Sequence, residues 1–266
     1  MAPDPGGGTL PGLVVASLTD VGRTRKNNED AVGDPWMLPE LDVPATVAAR
    51  GVLLAVADGM GGHADGEVAS RLAVEALFRS YYAASGDLRE DLRSAVEEAD
   101  TAVRGGPADP SAPPRPSELR RGTTLVAAVV AAGSVHVANV GDSRAYLLHE
   151  GVLTQVTRDH SLVAEEVRAG ILTPAEARRF PYRNVVMRAL GGTDRAEVEL
   201  FDVPWTVGDR LLLCSDGLHG PVPDELIVEA LRDLPPGAAA KALVAIANAR
   251  GGPDNISVIV AESVRA

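Results

Sequence analysis

Residues 53–57 are five consecutive apolar positions (Leu53, Leu54, Ala55, Val56, Ala57) that stop on Asp58-Gly59. An unbroken apolar run of this length between Gly51 and Gly59 predicts a strand buried on both faces that delivers a carboxylate at its end. The pattern returns at 210–215, which runs into Asp216-Gly217, and at 254–261, where Asp254-Asn255 precedes the apolar run. Further strands are predicted at 13–18 and 198–203, and at 123–131, 135–140, 144–148 and 152–156. The last four are divided by Ala132-Gly133, Gly141-Asp142 and Glu150-Gly151, connections short enough for one antiparallel meander. Helical periodicity runs through 66–82 (Val68, Leu72, Ala76, Leu77, Tyr81) and 88–103 (Leu88, Leu92, Ala95, Val96, Ala99, Val103), with further helices predicted at 162–169, 174–178, 224–234 and 238–249. Successive helices predict antiparallel pairs lying on a sheet. Strands grouped without β-α-β alternation predict an α+β layered domain with antiparallel sheets.

Between these elements, 20–30 reads as a polar loop and 35–50 as a proline-punctuated connection. Residues 1–12, with Pro3, Pro5, Pro11 and a Gly6-Gly7-Gly8 run, have the composition of a disordered tail, so folding is expected to start near Leu13 and a single domain to fill 13–266. Five prolines between 105 and 117, without apolar periodicity, predict a surface loop.

A chain of 266 residues suits one large domain. Its net charge of −12, with no window of Lys and Arg interleaved with aromatics, argues against nucleic acid as a partner. The single cysteine, Cys214, excludes an internal disulfide and fits a reducing compartment. The longest apolar run, 125–133, is far short of the ~18 residues of a membrane span, and the N-terminal residues lack a basic-then-apolar signal, so a cytoplasmic protein is expected.

Three strand-edge aspartates from distant parts of the chain, Asp58, Asp216 and Asp254, ask for one positive centre, since an ionised carboxylate at a buried strand end is costly without a cation. The segment 20–30 adds Glu29 and Asp30 beside Arg25. Several chemistries are excluded. A cysteine-nucleophile phosphatase needs an arginine six positions after the thiol, where this chain has Gly220. Lys26 and Lys241 follow Arg25 and Ala240, so neither completes a P-loop. His63, His136, His149, His160 and His219 form no short-spaced zinc pair. An all-oxygen set of acids indicates Mg²⁺ or Mn²⁺. The run GMGGHA at 59–64 formally satisfies a dinucleotide-binding turn, but that turn needs an acid-ended strand about 20 residues on, where 87–103 is helical.

With these residues assembled, the chain resembles the metal-dependent protein serine/threonine phosphatases of type 2C in their compact bacterial form. The resemblance spans about 13–264. It rests on DVGRTRKNNED at 20–30, ADGMGGH at 57–63, RGTT at 121–124, VGDSR at 140–144, DHS at 159–161, RNVVMRALG at 183–191, SDGL at 215–218 and PDN at 253–255. Asp65 and His219-Gly220 depart from the family pattern.

The resemblance implies a four-layer α/β/β/α sandwich of two mainly antiparallel sheets flanked by helix pairs, with a two-metal centre at one end. Asp58 would bridge two ions, with the Gly59 carbonyl and an acid of Glu29-Asp30 completing one shell and Asp216 and Asp254 holding the other. A bridging water would attack phosphorus in line. Arg25 would bind phosphate. Asp142, near Asp216 and Ser161, matches the acid of a third metal in some bacterial members. His63 is the expected proton donor to the leaving group, with His160 as the alternative. A flap lies within 161–190, centred on 170–182. The implied substrates are phosphorylated proteins, as a monomeric enzyme opposing bacterial serine/threonine kinases. The alternatives are a phosphatase of a phosphorylated anti-sigma-factor antagonist and a non-enzymatic phosphoprotein-binding regulator.

Overall fold

The computed structural model describes residues 6–38, 42–60, 64–105, 121–177 and 179–265. Elements are numbered in chain order. One antiparallel sheet has the order β1 (Gly6–Leu10), β2 (Leu13–Asp20), β12 (Ile256–Ser263), β11 (Arg210–Cys214), β8 (Arg144–His149), β9 (Val152–Gln155). The other has the order β10 (Glu199–Pro204), β7 (Ser134–Val140), β6 (Leu125–Ala131), β4 (Val52–Met60), β3 (Asp30–Gly33), and the short β5 (Gly122–Thr123) extends it beside the end of β4.

The period of two in a strand explains why the central strands read as unbroken apolar runs. In β4, Leu54 and Val56 pack between the sheets against Val126, Leu211 and Leu213. The alternate Leu53, Ala55 and Ala57 face outward, onto Leu77 and Phe78 of α2 (Ala64–Ala83) and Leu92 and Val96 of α3 (Leu88–Arg104). In β11, Leu212 and Cys214 face outward in the same way, onto Ile227 and Leu231 of α7 (Asp224–Asp233) and Leu243 of α8 (Pro236–Ala249). Three apolar layers therefore separate helix pair, sheet, sheet and helix pair, the four-layer α+β sandwich that the resemblance implied. Asp58 continues the even-numbered series of β4 and so belongs to the face between the sheets.

The expected four-strand meander is two hairpins in different sheets. β6 and β7 pair in one, β8 and β9 in the other, and the chain crosses the sandwich at 141–143. Hydrophobic alternation sets which face of a strand is buried, not which sheet it joins, and the crossing carries Asp142 to the sandwich end. The expected disordered tail is corrected at Gly6–Leu10, which pairs with β2 from Gly6↔Ser17 to Leu10↔Leu13. Backbone hydrogen bonds to β2, with Leu10 against the core between the sheets and Gly8 close to Trp36, hold this edge strand, and its glycines gave no hydrophobic signal.

The connection 35–50 contains a 3-10 turn (Pro35–Met37) and a helix, α1 (Val43–Arg50), with Asp42 at its N-cap. The segment 161–190 holds two short helices, α4 (Leu162–Arg168) and α5 (Pro174–Ala177). A last short helix, α6 (Asp216–His219), follows β11. Of the expected proline-rich loop, Gly105 caps α3 and 106–120 lie outside the described residues. Among the described residues no helix is long and apolar enough to cross a membrane.

Candidate metal centre

At one end of the sandwich a cleft of about 280 Å³ is lined by Asp58, Asp142, Asp216, Asp254 and Glu29, with Arg25 at its edge. Asp58 is held through its peptide group. Its N–H donates to Thr124 Oγ1 (3.1 Å), and its carbonyl accepts from the Thr124 N–H (2.9 Å) and Thr123 Oγ1 (2.9 Å). On the other side of β4, Asp30 lies directly opposite Asp58, and the Gly59 N–H donates to the Glu29 carbonyl (3.1 Å). Both glycines of the Asp-Gly pairs are required by close approach rather than by a turn. A Cβ on Gly59 would stand 2.2 Å from the Gly66 carbonyl oxygen, and one on Gly217 would stand 1.9 Å from that of Asn255.

Asp254 reaches the cleft through its neighbour. Asn255 accepts the Glu29 N–H at Oδ1 (2.8 Å) and donates from Nδ2 to the carbonyls of Val21 and Asn27 (2.9 Å each), tying the 20–30 segment to the start of β12. Asp216 opens α6. The preceding Ser215 is wholly buried; its Oγ donates to Asp30 Oδ2 (2.8 Å) and accepts the Ser257 N–H (3.0 Å). Of the Glu29-Asp30 pair, Glu29 lines the cleft while Asp30 lies behind it, bound to the opposite sheet.

The electrostatics of this cluster call for a cation. Burial, then repulsion from Asp216 and Asp254, pushes Asp30 up to about 7. Burial and repulsion from Asp216 and Asp159 push Asp142 up to about 7, and burial and repulsion from Asp254 push Asp216 up to about 6. Asp58 is raised well above the ordinary carboxylate range by burial and by Asp30, Asp216, Asp142 and Asp254. Asp30 Oδ1 and Asp216 Oδ1 are buried without a hydrogen-bond partner among the described residues. The orphaned oxygen of Asp216, in the wall of this anionic cleft, fits a hard divalent cation, and that of Asp30 lies behind it. Among the described residues no three acids, imidazoles or thiols close on one point.

Arg25 sits at the edge with its guanidinium 2.7 Å from Asp254 Oδ2 and its side chain 47% exposed, accessible to an incoming anion. Asp142 is held by its own carbonyl, which accepts from His219 Nε2 (3.0 Å). Burial drives His219 down to about 3, so it stays neutral and its proton is committed to this bond. His219, one of the departures from the family pattern, is thus a support for the crossing loop.

Besides Asp30, two expected site residues are not brought to the cleft. His160 is buried beside it. Its Nδ1 accepts the Gly141 N–H (3.1 Å), which leaves the proton on Nε2, 3.1 Å from Glu199, and burial lowers its pKa. With both nitrogens engaged it is not a proton donor to substrate. Ser161 is buried as the N-cap of α4, accepting the Ala164 N–H, and bridges Val186. It ties the start of α4 to Val186. His63, with Gly61 and Gly62, lies outside the described residues. The cleft wall includes Met60, Thr124, Asn184 and Val186, which the sequence reading did not single out. The RGTT and RNVVMRALG motifs were the available signal for the last three.

Residues 27–248 match the family model described as protein phosphatase 2C. The chain is 41% identical over 253 residues to the serine/threonine protein phosphatase PstP of Mycobacterium tuberculosis, covering 95% of this chain but 45% of that protein, so it spans about half of that relative's length. It is 39% identical over 255 residues to the serine/threonine phosphatase stp of Listeria monocytogenes, covering 92% of this chain and 93% of that one. A crystal structure of the M. tuberculosis phosphatase superposes with a TM-score of 0.80 at 40% identity over 95% of this chain and 99% of that chain. A second, of the PstP catalytic domain in complex with two manganese ions, gives 0.78 at 40% identity, over 95% and 98%. On the family match and these relatives, the chain belongs to the protein phosphatase 2C family.

Proposed function

We propose that this protein is a metal-dependent phosphatase of phosphoserine and phosphothreonine in proteins, opposing bacterial serine/threonine kinases. The observation that carries the reading is the convergence of Asp58, Asp142, Asp216 and Asp254, from four separate segments, on one cleft edged by Arg25. The residues present fit two divalent cations: Asp58, Gly59, Glu29, Asp216 and Asp254 would hold them, and Asp142 would be available to a third. When bound, such ions lower the pKa of a water and offset charge on the phosphoryl group.

The chain's own residues do the rest. Buried Thr123 and Thr124 fix the Asp58 backbone, so that the carboxylate meets the cleft at one height. Arg25 offers a planar fork to two phosphate oxygens and exchanges its Asp254 partner for the substrate. Since His160 is engaged elsewhere, His63 is the residue proposed to protonate the departing alkoxide. Acting as a monomer, the protein needs no second copy for this set. The names of the relatives, all serine/threonine phosphatases, support the same substrate class.

The reading is tested by hydrolysis of a phosphothreonine peptide with Mn²⁺ and with chelator. Turnover is expected with Mn²⁺ and none after chelation. Failure to release phosphate with either Mn²⁺ or Mg²⁺ would overturn it. Arg25→Ala is expected to raise KM for the peptide roughly 10-fold with a smaller change in kcat, because its contact to phosphate exists in ground and transition states alike. A lowered kcat with unchanged KM would show that Arg25 acts only in the transition state.

A further inference from the structure

Asp100 is a carboxylate on the apolar face of α3, 3% exposed, at a position where the helical period calls for a core residue. It does not line the cleft, yet every nearby contact converges on the chain leaving it. Asp100 Oδ1 accepts the Gly191 N–H (2.8 Å) and Oδ2 accepts the Ala196 N–H (3.1 Å). Arg104, one turn later, pairs with Asp100 and donates to the carbonyls of Thr193 (3.3 Å) and Asp194 (2.5 Å). Two side chains of one helix thus gather four backbone groups of 191–196. A buried carboxylate is retained only where its partners compensate, and here they are Arg104 of the same helix and two N–H groups of one loop.

The loop is the far end of a strap that includes part of the cleft wall. Next to Gly191, Leu190 exchanges two backbone hydrogen bonds with Thr123 (2.9 and 3.2 Å), the residue whose hydroxyl binds the Asp58 carbonyl. At the other end the Met187 N–H donates to the His160 carbonyl (2.7 Å), Ser161 bridges Val186, and the Leu162 N–H donates to the Val185 carbonyl (2.9 Å). Asn184 and Val186, at the head of the strap, line the cleft. Residues 186–191 are therefore fixed at two points, one beside His160 and one at the Thr123–Asp100 clamp. On the exposed side the strap presents Met187 and Arg188, the latter paired with Glu197 (3.0 Å) just beyond the loop.

We propose that Asp100, outside the metal centre, is a positioning residue for the reaction: with Arg104 it clamps 191–196, and so holds the Asn184–Val186 wall at the distance a phosphopeptide needs. This rests on the phosphatase reading above. A small aryl phosphate, which needs the metal centre but little of the wall, is insensitive to the clamp, whereas a phosphopeptide is not.

The test uses the full chain loaded with Mn²⁺ and two variants, Asp100→Ala and the partly exposed Arg104→Met, so that a folding failure in the first leaves the second. Asp100→Ala is expected to raise KM for a phosphothreonine peptide roughly 10-fold, a displacement-sized effect, with kcat on p-nitrophenyl phosphate changed by no more than about 2-fold. Arg104→Met is expected to shift KM the same way by less, and Asp100→Asn, which keeps one acceptor, to fall between wild type and Asp100→Ala. Hydrogen exchange is expected to quicken at 184–196 and stay unchanged in β12 and α8. Equal kcat losses on both substrates, an unchanged peptide KM, or unchanged exchange at 184–196 would each overturn the proposal. If the wild-type chain hydrolyses neither substrate, the phosphatase reading fails, while the exchange measurement still decides whether the clamp holds the wall.

Discussion

Asp58→Asn is expected to lower kcat on a phosphothreonine peptide by at least about 10³-fold at saturating Mn²⁺, equivalent to about 4 kcal/mol of transition-state stabilisation. The fold should survive, because the bonds that hold this residue are made by its peptide group to Thr123 and Thr124 and an isosteric amide leaves them intact. What changes is charge. Asp58 is the carboxylate surrounded by the most like charges, with Asp30, Asp216, Asp142 and Asp254 all raising its pKa after burial does. Removing one negative charge from that set relieves repulsion, so the metal-free variant should unfold at the same temperature as wild type or higher. Lost turnover without lost stability is the signature of a residue serving bound ions. A variant within about 10-fold of wild-type kcat would sink the assignment of Asp58 to the centre, and a lowered unfolding temperature would assign it to the scaffold instead.

The carboxylates themselves were legible in the sequence because each stands where an apolar strand pattern stops, and the period of two then fixes its face. Leu54 and Val56 face the other sheet, so Asp58 must as well. The helix pairs were legible for the same reason, through Leu92, Val96 and Val103 at helical spacing.

Other features depended on information that hydrophobic pattern does not carry. Sheet membership of β8 and β9 is set by which strand edge they meet after the crossing at Asp142, and four short apolar runs look the same on either side. Strand β1 owes its place to backbone bonds with β2, and its Gly6-Gly7-Gly8 run reads as disorder by composition. His160 matched a family motif, but a motif does not say where a ring's two nitrogens point. They point to Gly141 and Glu199. Asp100 gave the opposite signal, a charge on the apolar face of α3, which composition alone treats as noise and only the loop packed against it explains.

The acid cluster predicts two opposite responses to pH in one molecule. Asp30, Asp142 and Asp216 ionise in the folded, metal-free protein near 7, 7 and 6, far above the value of about 4 they have unfolded. Between those limits the native state binds more protons than the unfolded one, so stability falls as pH rises, with the advantage fully present below about 4 and lost above about 7. The groups are coupled, so they titrate as a set and their shifts do not add. Carboxylates held low by partners, such as Asp159 beside Arg144 and Asp202 beside His136, act with the other sign, but only as pH falls below about 4.

The metal-free chain is therefore expected to unfold roughly 5 °C higher at pH 5.5 than at pH 8, the shift that about 2 kcal/mol produces in a domain of this size. Cation binding follows the reverse course, since each proton the ion must displace costs a factor of ten in affinity per pH unit below the group's pKa. Apparent Mn²⁺ affinity should fall about 10²-fold from pH 7.5 to pH 5.5 if one proton is displaced on average. Calorimetric titration of Mn²⁺ together with thermal unfolding in chelator at the two pH values measures both. A metal-free unfolding temperature that rises with pH over this interval, or a Mn²⁺ affinity independent of pH, would mean that these carboxylates are already ionised in the empty cleft and that repulsion among them does not tune the site.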